Sequence, residues 1–203
     1  MSGLTMPGPI AMKRLLACCL ALVLACAGLA HAQTAPAAKP RVELKTTLGN
    51  IVVELDPEHA PITVANFLGY VKSGHYNGTI FHRVINGFMI QGGGMDKAMR
   101  EKPTGKPIKL ESTNGLKNLN GSIAMARTNV PNSATAQFFI NVVDNSGRLD
   151  YPRPDGHGYA VFGTVVSGMD VVEKIKAVRT KSVPPHDDVP VEPIVIERAS
   201  VLP

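Results

Sequence analysis

The sequence predicts a mainly β domain whose sheet closes into a barrel, with two helices plugging the ends. Three observations predict it. Eight short runs bounded by turn residues read as strands, and only two segments carry a helical stripe. Nineteen Gly and sixteen Pro are spread without a period, so the chain turns often. Hairpins outnumber connections long enough for parallel crossovers, and closure would remove the sheet's edges. A chain of 203 residues, 44% apolar and 18% charged, suits one domain with a real core.

The first forty residues read as a separate object. Lys13-Arg14 precedes an uncharged, Leu/Ala-rich run from Leu15 to Ala30, and Ala30-His31-Ala32 fits a small-x-small cleavage site. Residues 1–32 are therefore expected to be a signal peptide, 33–40 a linker and 41–203 the functional domain. The expected location is the periplasm. Two alternatives stay open: a single membrane anchor, and lipidation at Cys26, since Val23-Leu24-Ala25-Cys26 loosely resembles a lipobox. Met12 is a candidate start. All three cysteines, Cys18, Cys19 and Cys26, fall in this leader, so the mature chain has no thiol to pair or to ligate metal. Setting aside Lys13 and Arg14, 19 basic residues face 16 acids, a balance of +3. That is too mild and dispersed to argue for nucleic acid, although the pI is 9.2.

In order, Arg41–Thr47 and Asn50–Leu55 alternate apolar and polar around Leu48-Gly49, a hairpin with one buried face. Pro61–Ser73 is a helix with Val64, Phe67, Leu68 and Val71 as its stripe; proline suits its first turn and Gly74 its end. Thr79–Val84 and Phe88–Gln91 are strands around Asn86-Gly87, followed by Gly92-Gly93-Gly94. Lys97–Leu119 reads as a long surface loop. Ser122–Ala126 and Gln137–Val142 are strands, with a loop or helical turn at Asn129–Thr135. Asp144–Gly158 is a second loop. Ala160–Val166 is a strand with a bulge at Gly163, Gly168–Val178 a helix, and Pro190–Leu202 the last strand.

Residues two apart on a strand share a face. Met89 with Gln91, Gln137 with Phe139, and Ala124 with Ala126 form three such pairs. If these strands are neighbours, the pairs and Arg83 make an apolar patch with a few polar groups, suited to an extended peptide. Other chemistries lack their residues. No histidines stand at His-x-x-x-His spacing for zinc, Gln91-Gly-Gly-Gly94 lacks the Lys-Ser/Thr of a phosphate loop, and no Gly-x-Ser-x-Gly elbow occurs. On pattern alone, Arg83 also reads as a surface ion-pair residue, and Phe88, Met89 and Phe139 also read as core.

Phe81-His-Arg-Val-Ile-Asn-Gly-Phe-Met-Ile-Gln-Gly-Gly93 closely resembles the signature of the cyclophilins, peptidyl-prolyl cis-trans isomerases. Ser122–Ala126, Ser133–Asn141 and Tyr159–Gly163 resemble three further blocks in the family's order, so the resemblance spans Arg41 to Pro203. With the leader, the chain looks like the bacterial periplasmic branch. The resemblance implies a closed eight-stranded antiparallel β-barrel capped by two α-helices. It implies Arg83 as the catalytic residue. Phe88, Met89, Phe139 and Leu149 match walls of the proline pocket, and Gln91 matches the amide that holds the peptide backbone. His82, Ala126, Arg127, Gln137 and Tyr159 match further groove positions. Tyr159 stands where many members have His, and Asn86 where Pro is common. No aromatic precedes Leu149, a position on which cyclosporin binding leans, so weak inhibition is expected.

The resemblance implies no cofactor and no metal. The expected partners are proline-containing polypeptides, exported proteins in folding, and the chain is expected to be a monomer without stable membrane insertion. Two other readings remain: a module that holds proline segments without turnover, and a binder of anionic surfaces.

Overall fold

The computed structural model describes residues 39–203, so the expected leader and most of the expected linker lie outside the described residues. β1 (Arg41–Thr46) and β2 (Gly49–Leu55) form the expected hairpin, in register from Arg41 opposite Glu54 to Thr46 opposite Gly49. Val42, Leu44, Ile51, Val53 and Leu55 point inward, as the alternation requires. Helix α1 (Pro61–Lys72) follows, then β3 (Thr79–Ile85), β4 (Met89–Asp96), β5 (Ser122–Met125), β6 (Phe138–Asn141), the one-turn helix α2 (Ser146–Leu149), β7 (Val161–Ser167) and helix α3 (Met169–Lys176). β8 (Thr180–Val183), β9 (His186–Pro190) and β10 (Val195–Val201) complete the chain.

Eight antiparallel strands close in the order β1-β10-β3-β4-β6-β5-β7-β2, with β2 back against β1. Every strand of the barrel thus has two partners and no edge is left open. Val64, Phe67 and Val71 of α1, and Val171, Val172 and Ile175 of α3, enter the same core cluster as the inward strand residues. Phe67 is its hub: its ring lies 5.1 Å from Tyr76, 5.1 Å from Phe162 and 5.7 Å, edge-on, from Phe138. The Tyr76 hydroxyl satisfies itself by donating to the Ala136 carbonyl at 2.8 Å.

Three differences from the expected elements have local causes. The last strand begins at Val195, not at Pro190, because Thr180–Pro190 folds into a separate β8–β9 hairpin. Its prolines and adjacent aspartates hide any alternation. Helix α2 forms inside the expected Asp144–Gly158 loop. Finally, β4 runs on through the glycine triplet to Asp96. These glycines leave room for neighbours: a Cβ on Gly93, at φ +85°, would come within 2.9 Å of the Tyr76 and Phe138 rings, and one on Gly94 would fall on the Gln137 side chain.

Candidate active site

Strand pairing builds one row of side chains across the barrel wall. Arg83 on β3 stands opposite Gln91 on β4, Gln91 opposite Phe139 on β6, Phe139 opposite Ala124 on β5, and Ala124 opposite Val161 on β7. Directly opposite residues share a face. This face is turned away from the core: Phe81, Val84, Ile90, Phe138 and Ile140 lie in the main cluster, whereas Met89, Ala124, Phe139, Leu149 and Val161 form a second one. Ile85, Phe88, Leu116, Ala126 and Tyr159 pack on that second cluster.

Arg83 reaches this face through a bulge. Phe81 pairs with Gly92 but Arg83 with Gln91, so β3 takes two steps while β4 takes one. The extra residue is His82. In a regular strand Arg83, two residues on, would share the inward face of Phe81; the bulge re-aims the side chain. Among the described residues the guanidinium meets one carboxylate, Asp188 on β9, with Nε 3.9 Å from Oδ2. Both side chains are about two-fifths exposed, at 44% and 41%, so donors remain free for a ligand.

Nine of the expected residues, Arg83, Phe88, Met89, Gln91, Ala126, Arg127, Phe139, Leu149 and Tyr159, surround one cavity of about 210 Å³. His82 and Gln137 lie outside it. They line an adjoining cavity of about 440 Å³ that shares Arg83 and Gln91 and is closed by Pro185, His186, Asp187 and Asp188. The two amides at the junction are locked together, Gln91 Nε2 donating to Gln137 Oε1 at 2.9 Å. His82 is 4% exposed, and its Nδ1 has no partner among the described residues. Burial and the nearby His186 lower its pKa to about 4, so the imidazole is neutral near pH 7.

The far wall belongs to the 142–160 loop. Tyr159 meets Phe139 edge-on, with centroids 5.6 Å apart. Arg127 lies under the Tyr159 ring, 4.5 Å from its centroid. All five of its N–H groups are engaged within the chain, by Asp155, the Gly158 carbonyl and the Thr128 carbonyl. Although Arg127 lines the cavity, it acts as a clamp on this loop and has no N–H left for a ligand. Gly147 and Arg148 are exposed before Leu149, where no aromatic stands.

Sequence reasoning passed over the hairpin residues near Arg83, above all Asp188, and the buried Asn118, Asn141, Asn145 and Asp150 behind the loop. A carboxylate-rich hairpin after the last helix was a visible signal for the former; the latter read as ordinary loop and strand polar residues. Asp56, Glu58 and His59 also gather, within 4.8 Å. Asp56 is already held by Lys39 at 2.6 Å and His59 at 3.0 Å, so the group is a local ion-pair cluster.

The arrangement offers an apolar seat, a fixed cation beside it and an amide for backbone contact. Among the described residues, no serine, cysteine or carboxylate lines the seat. Such an arrangement can seat a peptide and change its conformation without attacking it. Comparison with known proteins agrees. The family described as cyclophilin type peptidyl-prolyl cis-trans isomerase/CLD matches residues 41–201. Over 162 residues the chain is 59% identical to a peptidyl-prolyl cis-trans isomerase of Streptomyces antibioticus, covering 79% of this chain and 98% of the relative. Over 161 residues it is 55% identical to peptidyl-prolyl cis-trans isomerase B of Escherichia coli, covering 79% and 98%. A crystal structure of a Cryptosporidium parvum cyclophilin superposes with a TM-score of 0.66 at 25% identity, covering 81% of this chain and 98% of that one. The chain belongs to the cyclophilin-type peptidyl-prolyl cis-trans isomerase family.

Proposed function

We propose that this enzyme turns X-Pro bonds in polypeptides that fold after export, with Arg83 as its catalytic residue. Rotation about the bond must break amide resonance, against a barrier of ~18–20 kcal/mol. Uncatalysed exchange takes roughly 10–100 s. No covalent bond is made or broken, so no nucleophile is needed. As the amide twists, the proline nitrogen becomes pyramidal and gains a lone pair. A donor placed there binds the twisted state better than either planar state. An arginine keeps its charge and offers fixed donors.

The observation that carries this reading is the row Arg83–Gln91–Phe139 beside an apolar cavity. Phe88, Met89, Phe139 and Leu149 would seat the ring, while Gln91, its amide oriented by Gln137, would hold the neighbouring backbone. His82, Ala126 and Tyr159 would shape the groove on either side, and Arg127 would keep Tyr159 in place. A relative crystallised in the presence of the dipeptide Ala-Pro, the Cryptosporidium protein, has the same fold at 25% identity. Lys13-Arg14, the apolar run after it and Ala30-His31-Ala32 support export to the periplasm with cleavage after Ala32.

A protease-coupled assay on an X-Pro peptide tests the reading. Catalysed cis-to-trans conversion is expected. Aggregation prevention without conversion would instead assign a proline-binding chaperone.

A further inference from the structure

Three buried asparagines join the two walls of the pocket. Asn145 Nδ2 donates to the Phe88 carbonyl and to Asn141 Oδ1, both at 2.7 Å. Asn141 Nδ2 donates to Asn118 Oδ1 at 3.2 Å and to Ser122 Oγ at 2.9 Å. Asn118 Nδ2 donates to Asp150 Oδ1 at 2.8 Å and to the Tyr159 carbonyl at 3.4 Å. The Asn118 backbone N–H reaches the same Asp150 oxygen at 2.9 Å. All six side-chain amide hydrogens are used; from Asn145, which also holds the Phe88 carbonyl, the donors run one way to a carboxylate.

All three asparagines are 0% exposed. The direction of the relay is fixed, because flipping the Asn145 amide would turn its oxygen onto two other oxygens. Asn145 Oδ1 is left without a partner among the described residues, an unfavourable state for a buried amide. The donating side therefore decides the orientation. Backbone bonds tie the relay to the far wall: Leu149 N–H donates to the Asn145 carbonyl at 2.9 Å, and Tyr159 N–H to the Leu149 carbonyl at 2.9 Å. Phe88 and Leu149 both hang from Asn145, at one end of the relay; Tyr159 hangs from Asn118 at the other and is tied back to Leu149.

We infer that Asn145, Asn141 and Asn118 are positioning residues that set the gap between Phe88 and Leu149, and with it the selectivity for a five-membered ring. This rests on the reading that the pocket seats proline. A chain ending on a carboxylate strengthens each bond behind it, and interiors packed this closely do not widen smoothly. Losing one member should loosen the gap and leave the Arg83–Gln91 edge intact.

The test compares two peptides that differ only in proline against pipecolic acid, its six-membered homologue. The wild-type chain is expected to favour proline; absence of any turnover on the proline peptide would fault the functional reading, not the relay. Asn145→Ala is expected to raise KM for the proline peptide. It should cut the proline-to-pipecolyl ratio of kcat/KM by about fivefold or more, the scale of one lost neutral hydrogen bond. Asn66→Ala removes a like bond, Asn66 Nδ2 to the Thr135 carbonyl at 2.6 Å, away from the pocket. It should lower Tm and leave the ratio alone. A ratio within about twofold of wild type in Asn145→Ala with native circular dichroism would overturn the proposal. Should that variant not fold, Asn118→Ser breaks the relay nearer its carboxylate and carries the same two outcomes.

Discussion

Arg83 and Gln91 face each other across the β3–β4 ladder, one step beyond the bulge at His82. That pairing places a cation and an amide side by side on the wall of a barrel whose interior is wholly committed to packing. The site depends on the bulge as much as on the arginine, since a regular β3 would turn Arg83 to the inward face of Phe81.

Asp188 lies 3.9 Å from Arg83 and adopts φ +59°. Asn takes that conformation readily, so Asp188→Asn removes the charge and keeps the hairpin. An exposed pair of this kind contributes ~0–1 kcal/mol. The expected result is a fall in kcat/KM of less than about fivefold, shrinking as salt screens the pair. Steady-state kinetics at low and high salt will check it.

Gly94 backs directly on Gln137, which orients Gln91. Gly94→Ala should displace that amide, destabilise the fold by ~1–3 kcal/mol and raise KM severalfold. Denaturant melts together with kinetics measure both effects.

His82 links acid to stability. The unfolded chain protonates it near the ordinary value of 6.5, the folded chain only near 4. Between those values the unfolded state holds the extra proton, so stability is full above about pH 6.5 and falls as pH drops toward 4. The loss is at most about 3 kcal/mol. His75, lowered first by its own burial, adds in the same direction. Asp56 sits lower: burial would raise its pKa, but Lys39 and His59 bring it to about 2. Its stabilisation is lost only below the normal carboxylate range. Chemical denaturation across pH 4–7 should show a slope that His82→Gln flattens.

The proposed leader makes a prediction of its own. In a Gram-negative host the mature protein should begin at Gln33 and appear in the periplasmic fraction. Intact-mass spectrometry reads the cleavage directly, and an acylated Cys26 at the N-terminus would replace that reading with a membrane-anchored one.

Much of this was legible in the residues. The β1–β2 hairpin follows from strict alternation, and α1 from the spacing of Val64, Phe67 and Val71. The Phe81–Gln91 stretch announced itself by combining arginine, bulky apolar groups and an amide around one turn. The bulge at His82 did not, because it is set by how β3 registers against β4 and leaves no mark in β3 alone. The glycine triplet looked like the end of a strand; its meaning came from Tyr76, Phe138 and Gln137, which are distant in sequence. The asparagine relay has the same character. Asn118 and Asp150 are 32 positions apart, and each alone reads as a loop residue.

The central claim is that Arg83 stabilises the twisted amide. It is tested most directly by Arg83→Ala in a protease-coupled assay on an Ala-Pro peptide, with folding checked by circular dichroism. The account predicts a fall in kcat/KM of about 10²–10³, the scale for removing one donor aimed at developing charge, with the native spectrum kept. Turnover within a factor of about two of the wild-type value in the folded variant would contradict it.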